Sequence, residues 1–158
     1  MSETSFDGHL RLMQNLCASR EICISEAETK LKKRNVSEKD VEKIIALLLD
    51  AGYIDEKRYA EAFAHDKLLL DKWGPLKIKQ ALLAKRIPAS IVSGAIAEKE
   101  CETDTDETVS ILLRRKFLTL KASNNREAYA KLVRFGMSRG FDFSTVSKHA
   151  SQITGEKD

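Results

Sequence analysis

Residues 51–63 read AGYIDEKRYAEAF, from Ala51 to Phe63. Upstream, VSEKDVEKIIALLLDAG (36–52) places Val41, Ile44, Ile45, Leu48 and Leu49 at helical spacing on one face. Ser37 suits the cap of that helix, with Asp40 favourable in its first turn. Gly52 supplies the left-handed residue that ends it. Tyr53 and Ile54 fall in the joint, and Asp55 is placed to cap a second helix from Glu56 to about Asp71 that buries Tyr59, Phe63 and Leu70. The quoted stretch is therefore a helix stop, an aromatic joint and a helix start. Downstream, Trp73-Gly74-Pro75 forms another joint, with Pro75 suited to a first helical position because its missing N–H has no partner there anyway. Ile78, Leu82 and Leu83 are expected to face inward from the next helix. Pro88 opens a further one, with Ile91, Val92, Ala95 and Ile96 as its apolar face.

The pattern repeats. LKKRNVSEKDVEKII (31–45) aligns with LAKRIPASIVSGAI (83–96) when Asn35 is skipped, so that Leu31 falls on Leu83 and Val36 on Ile87. KLVRFGMSRGFDFSTVS (131–147) aligns with KIKQALLAKRIPASIVS (77–93) without a gap. The period is about 50 residues, seen three times, and each unit reads as three helices joined by short turns. The expected architecture is all-α: an elongated tandem array of three three-helix, helix-turn-helix-like repeats, about nine helices in all. The repeats cover residues 8–52, 53–102 and 103–154 of one continuous domain. A unit this small buries too little apolar surface alone, so neighbours should stack. Thr103 and Thr105 are placed to cap the first helix of the third repeat. Asn124 with Glu127 resembles a capping box for the next helix.

The totals agree with helices. Of 158 residues only two are proline and seven glycine, while 32% are charged; a β-sandwich needs more turn residues. The net charge of +3 argues neither for nor against nucleic acid, but its distribution is lopsided. Residues 98–107 carry six acids and one lysine, whereas residues 109–150 carry nine basic residues against Glu127 and Asp142. Such a block is usually a solvated helical face, but it also suits a polyanion or an acidic partner. Cys17, Cys23 and Cys101 form no C-x-x-C pair, and the N-terminus lacks an export signal, so a reducing cytoplasm is expected. No apolar run is long enough to span a membrane.

Enzyme chemistry finds no support. His9, His65 and His149 are far apart in sequence, with no paired metal-ligand spacing and no phosphate-binding glycine motif. Ser25, Ser37 and Ser90 read as helix caps. No catalytic, cofactor or metal residue is assigned. Tyr53, Tyr59 and Trp73 are expected to pack where helices meet.

Two motifs, in order and within a triple helical repeat, resemble the RecX family of bacterial recombination regulators over about residues 10–154. The first is Gly52-Tyr53-Ile54-Asp55 followed by Arg58-Tyr59-Ala60. The second is Trp73-Gly74 followed by Lys77-Ile78 and the Lys85-Arg86-Ile87 turn. LLRRKF and KLVRFGMSRGF resemble the family's third unit. The family often places glycine after a basic residue at the turn between second and third helices. Here Arg34-Asn35 and Arg86 stand at two of those turns, and only Arg139-Gly140 keeps the glycine. Arg86 is expected to accept a left-handed conformation less readily than Asn35.

The resemblance implies a regulator without catalytic residues. It would bind the RecA recombinase, chiefly as its filament on single-stranded DNA, and negatively modulate strand exchange and ATP hydrolysis. The candidate contacts to filament or DNA are the basic residues: Lys77, Lys79, Lys85 and Arg86 in the second repeat, then Arg114, Arg115, Lys116, Arg126, Lys131, Arg134 and Arg139 in the third. Lys131 and Arg134 share a helix face. Arg114, Arg115 and Lys116 fan around theirs, so at most two meet one partner. A monomer is expected. The alternatives are a helical nucleic-acid-binding module acting without a recombinase, and a structural adaptor for another protein. Steep salt dependence of binding to bare DNA would favour the former.

Overall fold

The computed structural model describes residues 5–156. Among them are nine α-helices and no strand: α1 (Phe6–Ser19), α2 (Ile24–Lys33), α3 (Glu38–Asp50), α4 (Glu56–His65), α5 (Pro75–Ala84), α6 (Ala89–Glu100), α7 (Thr105–Thr119), α8 (Asn125–Ser138) and α9 (Phe143–Thr154). The all-α expectation of tandem three-helix repeats holds. The chain forms two compact units. One holds the described residues up to Ala62 with Leu82–Val92; the other holds Phe63–Ala81 with the described residues from Ser93 onward. In the first unit, Met13, Ile22, Leu31, Ile44, Leu48 and Ile54 form the centre of the core. In the second, Val109, Leu113, Leu132, Phe141, Val146 and Ala150 do so, and α7, α8 and α9 pack on one another.

Most helix ends follow local chemistry. The Ser37 hydroxyl accepts the Asp40 N–H at 3.2 Å, and the Asn124 side chain accepts the Glu127 N–H at 2.8 Å. The Glu127 carboxylate takes the N–H and hydroxyl of Ser123 rather than the Asn124 N–H, so the capping box is shifted by one residue. At α7 the cap is Asp104, lying between the two threonines named from sequence; its carboxylate accepts the Glu107 N–H at 3.0 Å. At α2 the cap is Cys23 rather than Ser25, with Glu26 accepting the Cys23 N–H at 3.2 Å. Pro75 is the first residue of α5. Pro88 precedes α6, its carbonyl accepting the N–H groups of Ile91 and Val92.

The turns between second and third helices share one geometry. Asn35, Arg86 and Gly140 adopt φ of 61°, 62° and 97°. In each, the next residue donates back five positions: Val36 to Leu31, Ile87 to Leu82 and Phe141 to Gly136, at 3.2, 3.4 and 3.3 Å. This is the Schellman closure of a helix. The three turns correspond residue for residue. Leu31 therefore pairs with Leu82, not Leu83, and Asn35 pairs with Arg86, so no residue is skipped at Asn35. Arg86 accepts the left-handed conformation against the expectation from sequence. The following Ile87 is 2% exposed, so its burial repays the backbone strain.

Other differences concern α4. It does not run on to Asp71: residues Asp66–Leu70 form a π-helical turn, with the Asp71 N–H reaching the Asp66 carbonyl at 3.1 Å. The wider turn rotates the segment, burying Leu68 and leaving Leu70 69% exposed. Leu49 and Leu83, expected to face inward, are also exposed.

The Tyr129 hydroxyl is buried with no hydrogen-bond partner among the described residues. Tyr129→Phe keeps the ring and removes the unpaired group. Stability in urea should be unchanged or rise by up to about 1 kcal/mol; a loss larger than that would show that the hydroxyl has a partner.

Candidate functional site

The first joint is built around Arg58. Gly52, at φ 78°, turns the chain out of α3, and the N–H groups of Tyr53 and Ile54 return to the Leu48 carbonyl. Ile54 is then buried beneath the joint, while Tyr53 is 36% exposed rather than packed in the core. Asp55 caps α4 by accepting the Arg58 N–H at 3.0 Å. The Arg58 guanidinium reaches back to the carbonyls of Gly52 and Tyr53 at 3.1 and 3.2 Å, and its Nε pairs with Glu21. One side chain thus holds the carbonyls left open by the helix stop and ties them to the segment preceding α2. Tyr59 is buried, and its hydroxyl is pushed well above the usual tyrosine range by that burial and by the neighbouring Glu26 carboxylate. Glu56 accepts the Ile24 N–H at 3.4 Å; burial raises its carboxyl. The spacing Gly-Tyr-Ile-Asp-x-x-Arg-Tyr therefore encodes a rigid corner.

Arg58→Ala should cost about 1–2 kcal/mol in urea unfolding, because two carbonyls and a carboxylate lose a common donor. Arg58→Lys should recover little, since an ammonium lacks the fork that reaches three acceptors. Full recovery by lysine would show that charge alone matters.

The second joint docks onto the third repeat. The Gly74 N–H donates to the Arg139 carbonyl at 2.6 Å, and the Leu76 N–H donates to the Gly140 carbonyl at 3.0 Å. The two backbones lie so close that a Cβ on Gly74 would stand 2.3 Å from the Gly140 carbonyl carbon. Trp73 meets Phe63 edge-on at 6.3 Å, and the ammonium groups of Lys67 and Lys77 lie over its ring at 4.7 and 4.1 Å. The two glycine motifs, read from sequence as separate joints, form one contact.

The structure sorts the basic residues. Lys85 and Arg86 are paired with acids of α2: Lys85 with Glu26 at 3.2 Å and Arg86 with Glu28 at 3.1 Å. Lys77 lies on Trp73, and Lys79 is exposed on α5. Arg114, Arg115, Arg126 and Arg134 are exposed, with no carboxylate in ion-pair range among the described residues. The consecutive trio does fan out. Arg115 borders a groove with Leu68, Lys72 and Glu107, whereas Lys116 turns toward α8.

There a cleft of about 480 Å³ opens between the end of α7 and α8, bordered by Lys116, Lys121, Lys131, Arg134 and Phe135. The Phe135 ring is its one aromatic wall. Lys116 lies over it at 5.1 Å and Arg139 at 5.0 Å. Lys131 is partly neutralised by Glu127 at 3.0 Å and also donates to the Lys121 carbonyl at 2.7 Å. Hydrogen bonds from Ser123 and Lys131 hold the Glu127 carboxyl down at about 2, so it stays ionised. Sequence reasoning counted Lys121 in the basic block without assigning it to the site, and missed Phe135. The remaining signal was an aromatic residue among cations at helical spacing. At the opposite end of α7 from the cleft, His149 on α9 bonds Asp106 at 2.9 Å; with Lys148 beside it, this lowers the Asp106 carboxyl. No group of three metal-ligating side chains occurs among the described residues, and no described helix is long and apolar enough to cross a membrane.

Comparison with known proteins places this architecture. The family model for the RecX second three-helix domain matches residues 55–96, and that for the RecX third three-helix domain matches residues 103–148. Regulatory protein RecX of Vibrio parahaemolyticus is 32% identical over 132 residues, covering 84% of this chain and 83% of that protein. Regulatory protein RecX of Chlorobaculum tepidum is 27% identical over 154 residues, covering 98% and 91%. A crystal structure of RecX from Lactobacillus salivarius superposes with a TM-score of 0.76 at 21% identity, covering 96% of this chain and 97% of that one. A second crystal structure of regulatory protein RecX superposes at 0.82 and 22% identity, covering 98% and 74%. Their identity is low, so they speak for the fold. With two consecutive domain models and a near full-length relative in agreement, the chain belongs to the RecX family of regulatory proteins.

Proposed function

We propose that this protein binds the RecA recombinase filament on single-stranded DNA and negatively modulates its ATP hydrolysis and strand exchange, acting as a cytoplasmic monomer without catalysis of its own. Family membership supports the partner. The basic cleft around Phe135 supports the mode: four cations and an aromatic ring converge on one opening, with a single carboxylate, Glu127, to offset them. A groove that carries DNA and acidic protein surface attracts such a cleft over several ångströms, and salt weakens that attraction. The Arg58 corner and the Gly74–Gly140 contact keep the surfaces of their own units in shape, which lowers the ordering cost of binding.

The test is equilibrium binding of labelled protein to three targets: preassembled RecA filaments on single-stranded DNA, RecA without DNA, and the DNA alone. The reading expects the filament to be bound well ahead of either component. Equal binding to bare DNA and to the filament would replace it with a nucleic-acid-binding module that needs no recombinase.

A further inference from the structure

A second basic cleft lies in the other compact unit; it shares Lys85 and Arg86 with the contacts named from sequence and adds basic residues of the first repeat. It measures about 510 Å³ and opens between α2 and the turn joining α5 to α6. Arg20, Lys30, Lys33, Lys85 and Arg86 border it, against the single carboxylate of Glu26. Lys30 and Lys33 are one turn apart on the exposed face of α2. Neither they nor Arg20 has a carboxylate in ion-pair range among the described residues. Lys85 and Arg86 are held at the rim by Glu26 and Glu28. The Arg86 turn is itself fixed by its backbone bonds and the buried Ile87, so the cations do not have to be gathered when a ligand arrives.

We propose that this cleft binds the phosphodiester backbone of a single nucleic-acid strand. Five cations within one opening match a run of phosphates better than a lone anion. No aromatic ring borders the cleft, so nothing there stacks on a base and binding should be indifferent to sequence. As phosphates approach, they compete with Glu26 and Glu28 for Lys85 and Arg86. The two carboxylates therefore limit affinity and keep the cleft from binding strongly at high salt. The proposal does not rest on a recombinase partner, because the site is complete without one.

The test is fluorescence anisotropy with a labelled deoxythymidine oligomer, no recombinase present, from about 50 to 200 mM salt. Three variants are compared with the parent protein: Arg20→Gln/Lys30→Gln/Lys33→Gln in this cleft, Glu28→Gln beside it, and Lys116→Gln/Lys121→Gln/Arg134→Gln in the other unit. The three cleft residues are exposed and make no ion pair there, so helicity should be unchanged. Their loss should weaken binding at least about tenfold at low salt and make the salt slope shallower by about 2, at about 0.7 per phosphate on a single strand. Glu28→Gln should tighten binding several-fold, a gain that a misfolded variant cannot produce. An unchanged slope in the triple variant, or no gain from Glu28→Gln, would overturn the assignment. So would a triple variant that binds the oligomer normally but loses binding to polyglutamate, because the cleft would then belong to an acidic protein.

Discussion

Gly140→Ala should destabilise the protein by roughly 3 kcal/mol or more in urea unfolding, the largest loss expected from adding one methyl group. Two independent costs combine. The residue sits at φ 97°, where a Cβ is strained, and that Cβ would lie 2.4 Å from the Lys77 Cβ and 2.6 Å from the Lys77 backbone nitrogen. Gly74→Ala on the opposite side meets the Gly140 carbonyl at 2.3 Å and should lose a similar amount by sterics alone. Either change pushes apart the two backbones joined by the bonds from Gly74 to Arg139 and from Leu76 to Gly140. Trp73, the only tryptophan, adjoins that contact and should report its opening as a red shift in emission. Gly52→Ala is the control. It shares the left-handed backbone, at φ 78°, but has nothing within 4 Å of its added Cβ, so it should cost only about 1 kcal/mol. Equal losses at Gly52 and Gly140 would mean that backbone strain dominates and the contact contributes little.

Reversing charge in the cleft around Phe135 should have the largest effect on activity. Lys116→Glu/Lys121→Glu/Arg134→Glu should reduce the potency of RecA inhibition at least about tenfold at 50 mM salt, and less at 200 mM. Arg134 is exposed and unpaired among the described residues, and Lys121 contributes only its carbonyl to the local structure, so helicity should hold. Lys116 lies over Phe135, and Lys116→Gln checks the effect of its loss without reversing the charge. Arg139 is left in place because its guanidinium packs on Phe135 and it does not border the cleft. If the triple reversal inhibits as well as the parent protein, the contact lies elsewhere on the chain.

What the sequence made legible was local. Ser37, Gly52 and Asp55 act through bonds to residues within a few positions, Pro75 through the N–H it lacks at the start of α5, and each does in the structure what its type and place imply. The repeat was legible for the same reason, because the same turn recurs at Asn35, Arg86 and Gly140. Arg86 shows the limit. Its side-chain type argues against a left-handed turn, and the burial of Ile87 overrules it. Leu70 shows another: a π-helical turn changes which residue faces inward, and periodicity does not foresee it. The basic residues were visible as a count but not as a surface. Glu26 and Glu28, some 58 positions away in sequence, claim Lys85 and Arg86, while Phe135 organises Lys116 and Arg139. Such pairings belong to tertiary structure, and so does the meeting of the Trp73-Gly74 and Arg139-Gly140 motifs.

The most direct measurement of the central claim is ATP hydrolysis by RecA on single-stranded DNA, titrated with this protein. Filament regulation predicts inhibition at well below one protein per RecA protomer, because one bound molecule affects several neighbouring subunits. Hydrolysis that stays unchanged as the protein is raised to several-fold excess over RecA would contradict it.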